Sequence, residues 1–440
     1  MEVTRRKFLG SSTAAVVVAG TMAGGKVFGA NDNVRVCCIG IHGQGGSHIR
    51  GYTDTEGTEV VALCDVDREV LEGRQKELEE KTQKKAKLYT DLREVMADDS
   101  IDVVSIATPN HWHSLAAIWA CQAGKDVYVE KPLSHNIFEG RQLVKAAEEH
   151  GRIVQHGTQS RSGATWIRDI GLMHEGFIGD IYMAKGFTYK TGNRKSLGFA
   201  EPKDPPPNLE WNLWQGPAAK QPYCDNYVHY NWHWFWNYGN GEFGNQLVHQ
   251  MDVACWGLNA GLPIKIQSTG GRYVWNDQGE TPNTHITTYS YENGKTLLME
   301  VRNLGSYQEA GSLTTGNTFW GEKGYYVQGK GFFNFKQEPI PVEREPPPEK
   351  SKFENFLTAI KSRKIEDVRG NVLEGHISSA HCHLGNTAYR LGRTLVFDPE
   401  RERYVGDAEA NMMLSRVYRK PFVVPGAAAS EDGKMTHRVS

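Results

Sequence analysis

The sequence predicts an α/β chain of two domains: a parallel sheet with crossover helices, then an α/β domain with a large open, mostly antiparallel sheet. Three observations predict it. From Val34 to about Gln155, short apolar runs alternate with helical patterns, as in strand–helix–strand units with right-handed crossovers. The first run breaks into a glycine cluster, Gly40, Gly43, Gly45 and Gly46, before helix-compatible sequence resumes. From about His156, strand-like runs follow one another through Gly or Asn turns such as Glu292-Asn293-Gly294, which predicts antiparallel pairing.

Residues 1–30 stand apart. Thr4-Arg5-Arg6-Lys7-Phe8-Leu9 precedes a short apolar stretch, Ala14 to Ala23. A charged start followed by a short apolar run reads as an export signal, too short to span a bilayer. The arginine pair followed by Phe-Leu resembles a twin-arginine (Tat) signal, so a periplasmic or exported protein is expected, cleaved near Gly29 or Ala30.

In the first domain, 34–155, the strand candidates are Val34–Ile39, Glu59–Leu63, Val103–Ile106, Val127–Val129 and Ile153–Val154. The helix candidates are Arg68–Lys85, Leu115–Ala123 and Ile137–His150. In the second domain, 156–425, the strands are Ile181–Tyr189, Lys265–Tyr273, Thr284–Tyr291 and Thr296–Arg302. Proline-rich Glu201–Asn208 and Glu345–Glu349 read as loops; Lys352–Lys361 and Glu374–Leu391 return to helix. The helices within 353–397 are expected to pack back near the first domain, and 426–440 to form a flexible tail.

Composition narrows the function. A chain of 440 residues, 39% hydrophobic and 23% charged, is an ordinary globular protein with ample core. Its net charge of −2 gives no pull toward nucleic acid. Beyond the start, no segment is long and apolar enough to cross a membrane. Seven cysteines without C-x-x-C spacing read as core residues, not a disulfide framework.

Strand, glycine turn, helix presents a helix N-terminus to a pyrophosphate. The G-x-G-x-x-G fingerprint falls on Gly40, position 42 and Gly45, and position 42 is His42. Gly43 supplies the close approach one residue later, and Gln44 completes the loop. The next strand ends at Cys64-Asp65, with Asp65 25 residues after Gly40. A carboxylate there hydrogen-bonds a ribose 2′-hydroxyl and repels a 2′-phosphate. The first domain therefore reads as a Rossmann dinucleotide-binding domain that prefers NAD to NADP. For Asp65 the competing reading is a helix N-cap.

Thr108-Pro109-Asn110-His111-Trp112-His113 and Glu130-Lys131-Pro132 follow the next two strands, at the carboxyl edge where such sheets bind ligands. Lys131 is placed there for charge work on a substrate oxygen; the plainer alternative is a salt bridge at Glu130. Between Trp211 and Trp256, Trp, His and Tyr are dense. Tyr227, His229, Tyr230, Trp232, His233 and Trp236 read as a carbohydrate-facing wall, against the alternative of an aromatic core. His111-x-His113 and His381-x-His383 invite a metal reading, but two His at i, i+2 on a helix diverge, and no metal site is expected.

Taken together, Gly40–Gly46, Thr108-Pro109-Asn110 with His113, and Glu130-Lys131-Pro132 resemble the Gfo/Idh/MocA family of oxidoreductases. The C-terminal half resembles its exported members through Asn231-Trp232-His233-Trp234-Phe235-Trp236, Gly239–Gly244 and His249-Gln250-Met251-Asp252. The resemblance covers roughly Val34 to Pro425. It implies NAD(P) chemistry on sugars, polyols and related carbonyl compounds. It also implies an open second sheet carrying the substrate site and, often, a homo-oligomer interface. Carried over by position, Thr108, Asn110, His113 and Glu130 join the cofactor side, Lys131 is the family's lysine, and His249 its catalytic histidine. Many members have an aspartate four residues before that histidine; this chain has Asn245. The spacing places Asn245 and His249 on one helix face. Asn binds a sugar hydroxyl but relays no proton, so the acid/base role shifts to His249, with an ionisation in the imidazole range, supported by Lys131 and Asp252. Some members cleave glycosides by a redox-neutral cycle of oxidation, elimination, hydration and reduction. A third reading, a non-catalytic dinucleotide- or sugar-binding protein, is opposed by Lys131 and His249.

Overall fold

The computed structural model describes residues 33–190, 195–305 and 313–434. The expected export signal lies outside the described residues.

The first domain is a six-stranded sheet: β1 Val34–Ile39, β2 Thr58–Cys64, β3 Lys87–Tyr89, β4 Val103–Ile106, β5 Asp126–Val129 and β6 Val154–His156. Its order is β3-β2-β1-β4-β5-β6 and every pairing is parallel. The intervening helices are α1 Gln44–Asp54, α2 Arg68–Thr82, α3 Leu92–Met96, α4 Asn110–Gln122 and α5 Ile137–Glu149. Strand order reverses between β1 and β4, which opens a crevice at the strands' carboxyl ends. α4 starts at Asn110, a turn and more before the expected Leu115. Residues 110–115 are all buried, so the two-faced periodicity that marks a helix in sequence is missing there.

The second domain carries ten strands in the order β14-β13-β12-β11-β7-β10-β9-β8-β15-β16, where the outer ones are β12 Gly324–Val327, β13 Gly331–Phe333, β14 Pro339–Ile340, β15 Leu395–Asp398 and β16 Arg403–Tyr404. The central ones are β7 Ile181–Thr188, β8 Lys265–Gly271, β9 Thr284–Ser290, β10 Thr296–Arg302 and β11 Thr315–Gly321. β7 and β10 pair in parallel, and the other pairings are antiparallel. β9 and β10 alternate strictly between buried and half-buried residues, the mark of a sheet with one face on a core. That core includes Val248, Met251 and Leu258 from the helical layer and Tyr289, Leu297, Met299 and Val301 from the sheet.

Later helices set the site. α6 Ala164–His174 leads into β7; a long excursion, residues 195–240, contains the short α7 Trp211–Gln215; α8 Gly241–Asn245 and α9 Leu247–Leu258 follow it. α10 Lys352–Ser362 returns to the first domain, where Phe353, Phe356, Ala359 and Ile360 join the core of Val34, Val36 and Tyr128. α11 Val372–Leu391 packs against both α5 and β8. All seven cysteines are free thiols, and all but Cys255 are buried. Residues 426–434 are not the flexible tail expected: Ala429–Ser430 pairs with Tyr418–Arg419, and Lys220 N donates to Asp432 O at 2.8 Å. Among the described residues no helix is long and apolar enough to cross a membrane.

Candidate active site

The glycine loop is built for close approach. Gly40 has φ +76°, and a Cβ there would stand 2.7 Å from the Thr108 nitrogen. A Cβ on Gly45 would meet Gly40 O at 2.1 Å, so the turn folds back on itself only without side chains. α1 begins at Gln44 with no side-chain cap. Gly46 N donates to Gly43 O at 3.0 Å, and the positive end of the helix dipole, with no side chain capping it, is left for an anion. At the end of β2, Asp65 accepts from Ile41 N at 2.7 Å and from Asp67 N at 3.0 Å. Burial raises its pKa to about 6, against the pull of those two N–H groups. The N-cap of α2 is Asp67, not Asp65, which leaves Asp65 facing the crevice.

These groups line one cavity of about 530 Å³. Gly40, His42, Gly43, Gln44, Asp65, Thr108, Asn110, His113, Glu130 and Lys131 meet there with Tyr230, Trp232, His233, Asn245 and His249. The apposition of an uncapped helix start and a strand-end carboxylate fits NAD. The helix start would hold the pyrophosphate and Asp65 the ribose diol.

His113 ties the two strand-end turns together. Its Nδ1 lies 2.6 Å from Pro132 O and its Nε2 2.7 Å from Thr108 O. Burial lowers its pKa while the two carbonyls push it up. Glu130 is buried among partners: His48 Nε2 at 3.0 Å, and Gln44 Nε2 and Lys352 Nζ each at 3.3 Å on one oxygen. Burial works against its charge, yet Lys352 and His48 hold its pKa well below the usual carboxylate range. A fixed carboxylate therefore sits directly behind Lys131, whose own N–H donates to it at 3.3 Å.

Lys131 Nζ donates to Asn245 O at 2.9 Å and stands 3.4 Å from Asn245 Oδ1. Asn245 Nδ2 in turn points at Tyr230 OH, 3.3 Å, and at Glu242 Oε2, 3.4 Å. Asn245 and His249 do not share one continuous helix: α8 ends at Asn245 and α9 starts at Leu247. Both still line the cavity. Burial, then the nearby Lys131 charge, lowers the His249 pKa to about 3. The site thus sets a cation and a neutral imidazole side by side, able to polarise an oxygen and to take its proton.

Some expected residues lie elsewhere. Asp252 is fully buried, bound by Arg161 Nε at 2.8 and 3.0 Å and by Ser378 Oγ at 2.6 Å. It does not line the cavity, because its turn of α9 faces Arg161 and α11. Trp236 faces a separate cavity, with the Arg390 guanidinium 5.0 Å over its ring. The aromatic stretch is partly core after all: Trp214, Tyr223, Trp232, Phe235 and Tyr238 pack together. Part of it also reaches the crevice: Trp214, His229, Tyr230 and the stacked Trp232–His233 pair at 3.6 Å. His381 and His383 turn to different partners, Tyr291 OH at 2.9 Å and Ser134 Oγ at 3.1 Å.

Sequence reasoning missed Glu242, which brings a carboxylate to Asn245 from inside the quoted glycine run 239–244. It missed His48 and Lys352 behind Glu130; His48 sits one turn into α1, but nothing local marks Lys352. It placed His229 only in the carbohydrate-facing wall, whereas its ring stacks on His42 at 4.4 Å.

Residues 34–158 match the oxidoreductase family with an NAD-binding Rossmann fold, and residues 167–424 match that family's C-terminal α/β domain. A glycosyl hydrolase family 109 protein of Shewanella baltica is 30% identical over 175 residues, 39% of this chain and 38% of its own length. A second protein of that name, from Shewanella sp. strain ANA-3, is 32% identical over 152 residues, 34% of this chain and 33% of its own. The matches therefore span well under half of these relatives. Among solved structures, the WlbA dehydrogenase of Bordetella pertussis, in complex with NADH and UDP-GlcNAcA, superposes with a TM-score of 0.64 at 22% identity, covering 83% of this chain and 99% of that one. The scyllo-inositol dehydrogenase of Lactobacillus casei gives 0.59 at 15% identity, covering 83% and 98%. These two likenesses establish the fold. The two-domain family match, with the glycine loop and Asp65 at the switch point, makes NAD the favoured cofactor and settles the lineage: this chain belongs to the Gfo/Idh/MocA family of oxidoreductases.

Proposed function

We propose that the protein oxidises or reduces a hydroxyl-bearing carbon of a sugar, polyol or glycoside, with NAD held in the cleft throughout the cycle. The observation that carries this is the placement of Lys131, anchored at 2.9 Å to Asn245 O, in one cavity with His249, the glycine loop and Asp65. When bound, NAD supplies the acceptor or donor of a hydride. The chain's own residues handle the oxygen and its proton. Lys131 brings its charge to the substrate oxygen and stabilises negative charge as it develops. His249, neutral in its buried setting, accepts the hydroxyl proton and returns it in the reverse direction. Asn245 and Tyr230 offer polar contacts to neighbouring hydroxyls, and the Trp232–His233 stack supplies a planar wall for a sugar face. A non-catalytic binding protein would not need the lysine and the imidazole so placed.

A second reading is redox-neutral glycoside cleavage: oxidation at one carbon, elimination of the aglycone, addition of water and re-reduction. The shared name of the curated relatives favours it. Export through Thr4–Leu9 supports both readings in the same way. A folded, loaded enzyme outside the cytoplasm finds no NAD pool, so the cofactor must be regenerated in place. We propose that location, and a homo-oligomer assembled through the open face of the ten-stranded sheet.

The test is to purify the mature protein, remove free nucleotide and denature it. Near-stoichiometric NAD(H) with glycoside turnover and no net NADH supports the closed cycle. Empty protein that needs added NAD and accumulates NADH leaves an ordinary dehydrogenase.

A further inference from the structure

His42 and His229 belong to different domains, yet their rings stack with centroids 4.4 Å apart and planes 12° from parallel. Both line the dinucleotide cavity. His42 stands where the fingerprint would place a glycine; His229 stands in the excursion 195–240. Each residue is held from behind, His42 by its backbone and His229 by its ring. Arg74 Nε donates to Ile41 O at 3.0 Å and Arg74 Nη2 to His42 O at 2.6 Å, fixing the tip of the glycine loop. On the other side, His229 Nε2 lies 3.3 Å from Asp67 Oδ2. Asp67 also caps α2 and accepts from Asn208 Nδ2 at 2.9 Å, while Asp67 and Leu209 form an antiparallel bridge. The excursion is thus stitched to the end of β2, next to the ribose-binding carboxylate. The stack closes the span between that stitch and the glycine loop.

We propose that His42 and His229 form a clasp across the dinucleotide cleft, locked by Asp67, which slows release of the cofactor. The inference rests on the held-cofactor reading above and names the residues responsible. A dinucleotide seated on the glycine loop leaves only when this stack parts. Two aromatic rings in offset contact resist separation, and the Asp67 carboxylate keeps the His229 ring in the geometry that stacks. His42 is therefore a departure from the fingerprint with a use: it replaces a bare backbone approach with a ring that reaches the opposite wall.

The experiment loads the full-length mature protein with NADH and follows its release into excess unlabelled NAD by the loss of NADH fluorescence. His229→Ala and His42→Ala are each expected to release NADH about tenfold faster, the scale of one aromatic contact. The double variant is expected to be no faster than either single one, because a single contact is lost. His229→Phe, which stacks but cannot bond Asp67, is expected between the parent and His229→Ala. That ordering is one that general loosening of the fold would not produce. Alanine variants that release NADH at the parent rate, with unchanged thermal unfolding, overturn the clasp. A parent that exchanges NADH within a single turnover, with the variants faster still, overturns the held-cofactor reading and leaves the clasp standing.

Discussion

The Nζ of Lys131 donates to the main-chain oxygen of Asn245 at 2.9 Å, and only more distantly, at 3.4 Å, faces that residue's side chain. The lysine is anchored by backbone, so the residue type at 245 is not what positions it. Lys131→Met is expected to cut turnover by about a hundred- to ten-thousand-fold while NAD stays bound. Asn245→Ala keeps the carbonyl anchor and loses the bonds to Tyr230 and Glu242 and the long side-chain contact with Lys131, so about a tenfold loss is expected. Turnover per bound NAD, measured on both variants, checks this; equal losses would shift the anchor to the side chain.

His249 tests the electrostatics. Sequence spacing alone leads to an ionisation in the ordinary imidazole range. Burial, reinforced by the Lys131 charge, moves it down to about 3. A depressed pKa keeps the ring neutral, and able to accept a proton, across the whole span from about pH 4 upward. The kcat/KM profile should therefore lack an acid limb near the usual value of about 6.5. His249→Asn should lose about a hundred-fold or more in turnover with cofactor retained. An acid limb near neutral pH that vanishes in His249→Asn would show that the substrate-free site is wetter than its packing implies.

The first domain was legible because β1, β2, β4 and β5 are apolar runs closed by glycine, proline or charged residues, and chain order alone then places their ends at one crevice. Asp65 and Lys131 followed from that order. β3 escaped notice because two of its three residues are exposed and carry no period. Gly324–Val327 and Gly331–Phe333 escaped because glycine-led strands look like turns. The site was less legible where tertiary register decides. Trp236 and Trp232 sit four residues apart in one motif, yet the turn between them sends their rings to different cavities. His229 gained its meaning only from a loop that crosses to the other domain.

Asp65 gives a pH test of opposite sign. Its pKa is raised to about 6 by burial. Above that value the carboxylate is ionised and accepts from a ribose diol; below it, one oxygen carries a proton and the acceptor pair is lost. NAD affinity is expected to be full above about pH 7 and to fall as pH drops through about 6. Asp65→Ala should weaken NAD, remove this pH dependence and narrow the preference over NADP. Titrations with both cofactors at several pH values decide it; unchanged selectivity would return Asp65 to a purely structural role.

Asp252 separates stability from chemistry. It lies one helical turn beyond His249, close enough in sequence to invite a share in the acid/base work. Its oxygens are instead taken by Arg161 Nε at 2.8 and 3.0 Å and by Ser378 Oγ at 2.6 Å. Arg161 is equally buried and also meets Glu374 at 2.6 Å. Removing one partner of a buried pair costs about 3–5 kcal/mol where the other charge is left bare. Arg161 keeps Glu374, so Asp252→Ala is expected to lose folding stability toward the lower end of that range. Asp252→Asn, which keeps one acceptor for Arg161, should lose less. Turnover per folded, NAD-loaded molecule should stay within about threefold of the parent in both, a difference below 1 kcal/mol in the barrier. Denaturant unfolding and turnover normalised to bound NAD measure the two quantities separately. A stable Asp252→Ala protein whose normalised turnover collapses would put this carboxylate back into the proton path, acting on His249 through α9.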